Sequence, residues 1–151
     1  MNNSIPRIRP PVYFLIAIAL MILLNSVFPL AHWLKFPWKY FGIVFIILGF
    51  ALTYGSFILF RQAGTQTHPG VKATVLVHKG PYRYTRNPMY VGLVVILLGV
   101  AILLGSLSPF LVIPIMIWIL HSKFILREEK WMESWFGESY LEYKKKTRRW
   151  L

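Results

Sequence analysis

Residues 87 to 122 run without a formally charged side chain, and this stretch sets the terms on which the chain can fold. As one helix it would rise roughly 54 Å at about 1.5 Å per residue, well beyond a hydrocarbon core of about 30 Å. GSLSP at 105–109 supplies a turn in its middle, so the sequence predicts two short spans in a hairpin. Two further apolar runs come before it: no charge occurs between Arg9 and Lys35, and residues 40 to 60 are again uncharged. The expected fold is all-α and integral to a membrane. It has four transmembrane helices at roughly 11–33, 40–60, 89–105 and 109–126, a cytoplasmic loop over 61–88, and a C-terminal amphipathic, interfacial helix within 127–151.

With 151 residues the chain has the length of one domain. Of these, 56% are hydrophobic and none is Asp, a composition that suits lipid better than water. Cysteine is absent, which excludes a disulfide framework, a thiolate nucleophile and a zinc–thiolate site. The net charge of +12 does not predict a nucleic-acid partner. The Lys and Arg residues flank apolar runs, where positive-inside bias and contact with anionic lipid account for them.

Arg7 and Arg9 resemble the n-region of a signal peptide, but the apolar run after them is too long. Pro29-Leu30-Ala31 is also a poor cleavage site. A retained first span is expected, inserted in a bacterial inner membrane or an equivalent bilayer. Arg61, Lys72, Lys79, Arg83 and Arg86 lie in one connection and the tail is strongly basic, whereas the opposite side has only Lys35 and Lys39. Both termini and the 61–88 loop are therefore expected in the cytoplasm.

YFGIVFIILGFALTYGS (40–56) and YVGLVVILLGVAILLGS (90–106) resemble each other, with Gly42, Gly49 and Gly55 spaced like Gly92, Gly99 and Gly105. Two glycine-faced helices converging in a small alphabet is the simpler account, and an inverted repeat the other. On either account spans two and three should turn their glycine faces to protein, where small residues let helices approach closely. In the tail, Trp131, Met132, Trp135, Phe136, Tyr140 and Tyr143 recur at helical spacing. This predicts an interfacial helix interrupted near Gly137, ending in a basic patch at Lys144 to Lys146.

Polar groups gather on the expected cytoplasmic face. They include His68 and His78, Arg83, Arg86 and Asn87, several tyrosines, and Glu128 with Glu129. A hairpin of spans three and four would bring Arg86 and Asn87 level with the two glutamates. Arginines and tyrosines at a span entrance often only snorkel or anchor, and the glutamates would then simply neutralise Arg83 and Arg86. Anchoring, however, does not require Gly80-Pro81 and Asn87-Pro88 to stiffen both ends of the segment. A rigid loop with convergent charge is what a ligand site requires. His32, His68, His78 and His121 show no helical metal spacing, so no metal is expected. Phosphate-cradling glycine loops and a GxSxG elbow are also missing.

LVHKGPYRYTRNPMYVG, followed about forty residues later by REEKWMESWFGESYLEYKKK, resembles the isoprenylcysteine carboxyl methyltransferase family. That family belongs to a larger group of integral-membrane methyltransferases that includes the phospholipid N-methyltransferases. The likeness covers roughly residues 61 to 151. It implies S-adenosylmethionine as methyl donor, held between the entrance of the third span and the segment after the last. By motif, the cofactor contacts would be Leu76, Val77, Tyr82, Asn87, Pro88, Tyr90 and Glu128, with Thr74 and Val75 at the start of the same run. The family usually has His where this chain has Asn87, and Asn cannot titrate near neutrality. The chain also has fewer spans before the motif than larger members. Arg86 and Glu129 are the expected catalytic residues, positioning or polarising the acceptor.

The implied partners are the lipid bilayer and a lipophilic or small-molecule acceptor, with a carboxylate, a thiol or an amine as the accepting group. Two other readings compete. One is an NADPH-dependent membrane reductase of the sterol reductase type. The other is a non-enzymatic scaffold whose basic tail binds anionic lipid or a partner.

Overall fold

The computed structural model describes residues 9–32, 34, 36–64 and 73–151. Arg7, Lys35, His68 and Lys72 lie outside them. Among the described residues the regular structure is helical, and pairing of extended backbone is limited to two isolated bridges, His32 with Ser106 and Thr85 with Arg148. The helices are α1 (Pro10–Val27), α2 (Phe41–Gln62), α3 (Pro88–Leu104), α4 (Val112–Ile119), α5 (Leu126–Phe136) and α6 (Glu138–Lys146).

Prolines and glycines set most boundaries. α1 and α3 open on Pro10 and Pro88, where a missing N–H costs nothing and φ is already helical. α1 stops at Val27, short of residue 33, because Pro29 cannot donate within a continuing helix. α3 ends on Gly105, whose φ of 81° is left-handed and closes the helix without a Cβ clash. The α4 segment is longer than its label. A 3-10 turn (Ser108–Leu111), α4, a π-helical turn (Leu120–Ile125) and α5 follow one another without a break. Glu128 and Glu129 therefore sit inside the last long helix rather than after it. The chain breaks at Gly137, which has positive φ, and α6 departs from there.

Among the described residues three helical stretches are long and apolar enough to cross a membrane: Pro10–Val27, Trp38–Gln62 and Ser108–Phe136. α3 is apolar but has only 17 residues. Only 11% of the apolar window of each of the first two is buried, so most of their side chains need lipid rather than protein around them.

α2 and α3 pack antiparallel through glycines. A Cβ on Gly49 would come within 2.7 Å of the Gly92 carbonyl oxygen, and one on Gly99 within 2.5 Å of the Gly42 carbonyl oxygen. The expected glycine faces thus meet each other at these four positions. Gly55 does not take part: nothing lies within 4 Å of a Cβ built on it. The main core cluster forms where α1, α3, α4 and the π-helical turn meet. It centres on Met21, Leu97, Ala101, Met116, Leu120 and Phe124. At the end of the bundle where α3 stops, backbone N–H groups of Leu34 and Leu107 donate to Gly105 and Leu30 carbonyls, and Leu30 N–H donates to Ser108 Oγ at 2.7 Å. The opposite end, where α3 starts, is left for the site.

Candidate active site

At that end a cavity of about 710 Å³ opens between five helices, α1 touching it through Pro10 and Pro11, and the loop before α3. α2 contributes Phe50, Thr53, Tyr54, Phe57 and Phe60. The loop contributes Val77, Tyr82, Arg86 and Asn87, and α3 adds Pro88, Tyr90 and Leu93. α5 presents Glu128, Glu129, Trp131, Met132 and Trp135, and α6 presents Tyr140 and Tyr143. The wall is mostly aromatic and aliphatic, with a few placed polar groups, the usual composition of a small-molecule site.

The loop is held in place before it reaches the cavity. Gly80–Arg83 forms a 3-10 turn. Tyr82 donates its hydroxyl to the Ser56 carbonyl at 3.4 Å, and its own carbonyl accepts from the Tyr143 hydroxyl at 2.6 Å. Its ring lies 6.1 Å from that of Phe60. Burial, then the neighbouring Tyr143 and Glu128, pushes the Tyr82 hydroxyl well above its ordinary pKa. Burial likewise raises Tyr140 and pushes Tyr143 up to about 12. All three therefore stay protonated donors at any ordinary pH.

Two carboxylates on adjacent residues of α5 have different surroundings. Glu128 accepts from the Tyr90 hydroxyl at 2.7 Å, which ties α5 to the first turn of α3. That bond uses one carboxylate oxygen. Glu129 is 5% exposed and is held by two guanidiniums. Arg86 Nε donates to Oε1 at 3.1 Å. Arg149 donates from Nε to both oxygens at 3.1 Å and from Nη2 to Oε2 at 2.8 Å. Two cations on one anion leave the Arg86–Glu129–Arg149 cluster with one net positive charge, facing Glu128 on the same wall. The hydrogen bonds to Glu129 raise the Arg149 pKa despite some desolvation, so its charge is permanent.

Arg86 also binds backbone. Its Nη1 donates to the Lys144 carbonyl at 3.1 Å and to that of Thr147. Its N–H donates to Arg148 O at 2.9 Å. Arg149 O in turn accepts from Thr85 Oγ1 at 3.2 Å and Asn87 Nδ2 at 3.0 Å. The segment after α6 is thereby laced onto the loop before α3.

Eight of the expected residues meet at this cavity: Val77, Tyr82, Arg86, Asn87, Pro88, Tyr90, Glu128 and Glu129. Thr74, Val75 and Leu76 are not on its wall. Thr74 donates its hydroxyl to Gly64 O at 3.3 Å, and Val75 is largely exposed. Arg83 is exposed and makes no ion pair among the described residues, so only Arg86 meets the glutamates. The aromatic stripe of the tail faces the cavity with Trp131, Trp135, Tyr140 and Tyr143. The same periodicity would suit a lipid-facing helix, and only the third-dimensional turn at Gly137 distinguishes the two. Arg149 was not a sequence candidate, since nothing in TRRW separates it from the neighbouring cations. Among the described residues no cluster of three His, Asp or Glu side chains is placed to hold a metal.

Residues 38–139 match the family model described as phospholipid methyltransferase. The chain belongs to the phospholipid methyltransferase family. Two relatives carry the name protein-S-isoprenylcysteine O-methyltransferase. The Schizosaccharomyces pombe protein is 40% identical over 76 residues, covering 50% of this chain and 32% of its own length. The Saccharomyces cerevisiae protein is 31% identical over 111 residues, covering 70% of this chain and 45% of its own. The solved structure of the eukaryotic intramembrane Ras methyltransferase, isoprenylcysteine carboxyl methyltransferase, superposes with a TM-score of 0.63 at 25% identity. It covers 91% of this chain and 47% of that one. The chain thus spans less than half the length of these relatives. The resemblance drawn from residues 76–92 and 127–146 agrees with all four matches. The phospholipid methyltransferase match takes in Tyr82, Arg86, Tyr90, Glu128 and Glu129, and stops before Tyr143 and Arg149.

Proposed function

We propose that the chain is an integral-membrane methyltransferase that uses S-adenosylmethionine to methylate a lipophilic acceptor. The observation that carries this reading is the cavity itself. An aromatic-walled space of about 710 Å³ has two carboxylates, Glu128 and Glu129, and the Arg9 and Arg86 guanidiniums on its wall, at the entrance of a short apolar helix. Most of it is built by the segment that matches the methyltransferase family.

The residues present fit S-adenosylmethionine. Tyr82, Tyr90 and the tryptophans offer faces to an adenine ring. Glu128 has one carboxylate oxygen beyond its bond to Tyr90, suited to ribose hydroxyls or an ammonium. Arg86 suits a carboxylate, and Val77, Asn87 and Pro88 complete the wall. When bound, S-adenosylmethionine supplies a methyl group made electrophilic by its sulfonium. The protein then has to align, desolvate and hold the two reactants, which is where much of the acceleration of a bimolecular displacement arises. Tyr90 fixes Glu128, Glu129 fixes Arg86, and the aromatic wall excludes water. The positive excess at Arg86, Glu129 and Arg149 favours an acceptor that arrives as an anion, a prenylated-cysteine carboxylate ahead of an amine. Such an acceptor would enter from the bilayer, with α3 as a fourth crossing. Both ends of the chain and the 61–88 loop would lie on the cytoplasmic side of a bacterial inner membrane or its equivalent.

The test is calorimetric binding of S-adenosylmethionine to nanodisc-embedded protein, wild type and Glu128→Gln. It is followed by transfer of labelled methyl to prenyl-cysteine, phosphatidylethanolamine and an alkyl thiol. Micromolar binding weakened in the variant, with the carboxylate acceptor preferred, is expected. Folded wild-type protein that binds no S-adenosylmethionine sinks the proposal.

A further inference from the structure

Arg86 lies on the cavity wall, yet two of its three guanidinium nitrogens are already engaged. Nε is on Glu129, and Nη1 is on the carbonyls of Lys144 and Thr147. Its third nitrogen, Nη2, has no acceptor among the described residues. No buried side-chain nitrogen or oxygen lacks a partner among them, so Nη2 retains open surface. The open space beside Arg86 is the cavity.

The orientation of that free edge depends on Glu129, and Glu129 depends on Arg149. Arg149 grips both carboxylate oxygens without itself reaching the cavity wall. Its backbone is fixed independently, because its carbonyl accepts from Thr85 and Asn87, the residues on either side of Arg86. Trp150, next in the chain, packs against the core cluster. The loop before α3, α5 and the segment after α6 therefore converge on one carboxylate. A planar fork can hold a carboxylate in one orientation where a lysine ammonium cannot.

We propose that Arg149 is a positioning residue: through Glu129 it sets the guanidinium of Arg86 so that its Nη2 edge faces the cavity as the anchor for a ligand carboxylate. That the carboxylate belongs to a methyl donor or an acceptor rests on the methyl-transfer reading. The relay of orientation through Glu129 does not.

The experiment uses the full chain in nanodiscs, labelled with 15N-arginine. It compares wild type with Arg149→Met, Arg149→Lys and Lys145→Met. The first readout is the exchange with water of the Arg86 Nε–H that is bonded to Glu129. The second is the split between kcat and KM for methyl transfer. Arg149→Met is expected to speed the exchange by about tenfold or more and to lower kcat by a similar factor. Arg149→Lys should fall between it and wild type, and Lys145→Met, which removes an exposed cation of the same segment, should match wild type. Unchanged Arg86 exchange in folded Arg149→Met overturns the inference. If that variant does not fold, Arg149→Lys decides, and wild-type exchange there overturns it equally. A wild-type protein that transfers no methyl group defeats the functional reading alone, since the exchange measurement still judges the relay.

Discussion

Glu128 and Glu129 are neighbours with opposite duties, and substitution should separate them. Glu129 has a structural load, because it neutralises Arg86, whose side chain is 8% exposed. Removing one partner of such a buried pair leaves an uncompensated charge and costs about 3 kcal/mol or more. Glu129→Ala is expected to lower the melting temperature in detergent clearly, and an unchanged melt would refute that load. Glu128 lines the cavity with one oxygen beyond its bond to Tyr90, and Gln can still accept that bond, so Glu128→Gln should leave the melt nearly unchanged. It should weaken S-adenosylmethionine binding roughly tenfold or more, since a charged hydrogen bond contributes about 1.5–3 kcal/mol. Tyr90→Phe keeps the carboxylate and removes only the hydroxyl that orients it. Its effect on binding by calorimetry should lie between wild type and Glu128→Gln. A Tyr90→Phe loss larger than that of Glu128→Gln would mean that the tyrosine hydroxyl touches the ligand directly.

At the scale of elements, the glycines divide into those that permit an approach and those that do not. An added Cβ at Gly49 meets the Gly92 carbonyl and the Ile96 backbone, and one at Gly99 meets the Gly42 carbonyl and the Ile46 backbone. These are helix backbones that cannot step aside, so Gly49→Ala and Gly99→Ala should each destabilise by about 1–3 kcal/mol through overpacking. Gly55→Ala meets nothing and should be neutral or stabilising by up to about 1 kcal/mol, because alanine is the better helix former. A thermal-melt series of the three variants checks the contrast, and equal effects would refute it. The same comparison shows how far the sequence could be read. Uncharged runs, prolines and the repeated Gly spacing located α1, α2 and α3 and the faces of four glycines. Gly55 was misread because a repeat in sequence says nothing about where two crossing helices diverge. That Tyr82, Arg86, Tyr90 and Glu128 would gather at one place was legible, because the motif order and a hairpin of two short spans bring them to the same level. Arg149 was not, since its role comes from a fold-back after Gly137 that no local pattern encodes. Nor could local spacing show that Thr74, Val75 and Leu76 stop short of the cavity.

On the scale of the whole molecule, the open question is how many times the chain crosses the bilayer. α3 has 17 residues and rises roughly 26 Å at about 1.5 Å per residue, slightly less than a hydrocarbon core of about 30 Å. Its pairing gives the expectation. α3 runs antiparallel to α2 with glycines in contact at two levels, and α2 is long enough to span. α3 therefore lies alongside a helix of spanning length, with Ser106, Ser108 and Asn25 gathering polar groups at its far end. Arg9 and the α6 tyrosines flank the same cavity at its near end, which brings the start of the first described helix and the last one to the same end of the bundle. The chain has no native cysteine, so single replacements report without background. A membrane-impermeant maleimide should label Lys79→Cys and Lys145→Cys from one side of oriented vesicles, and Leu107→Cys from the other. Labelling of all three from one side would mean that α3 re-enters rather than crosses. The cavity would then be reached through a dip in the bilayer, and the acceptor would have to approach from the aqueous face instead of sideways from lipid.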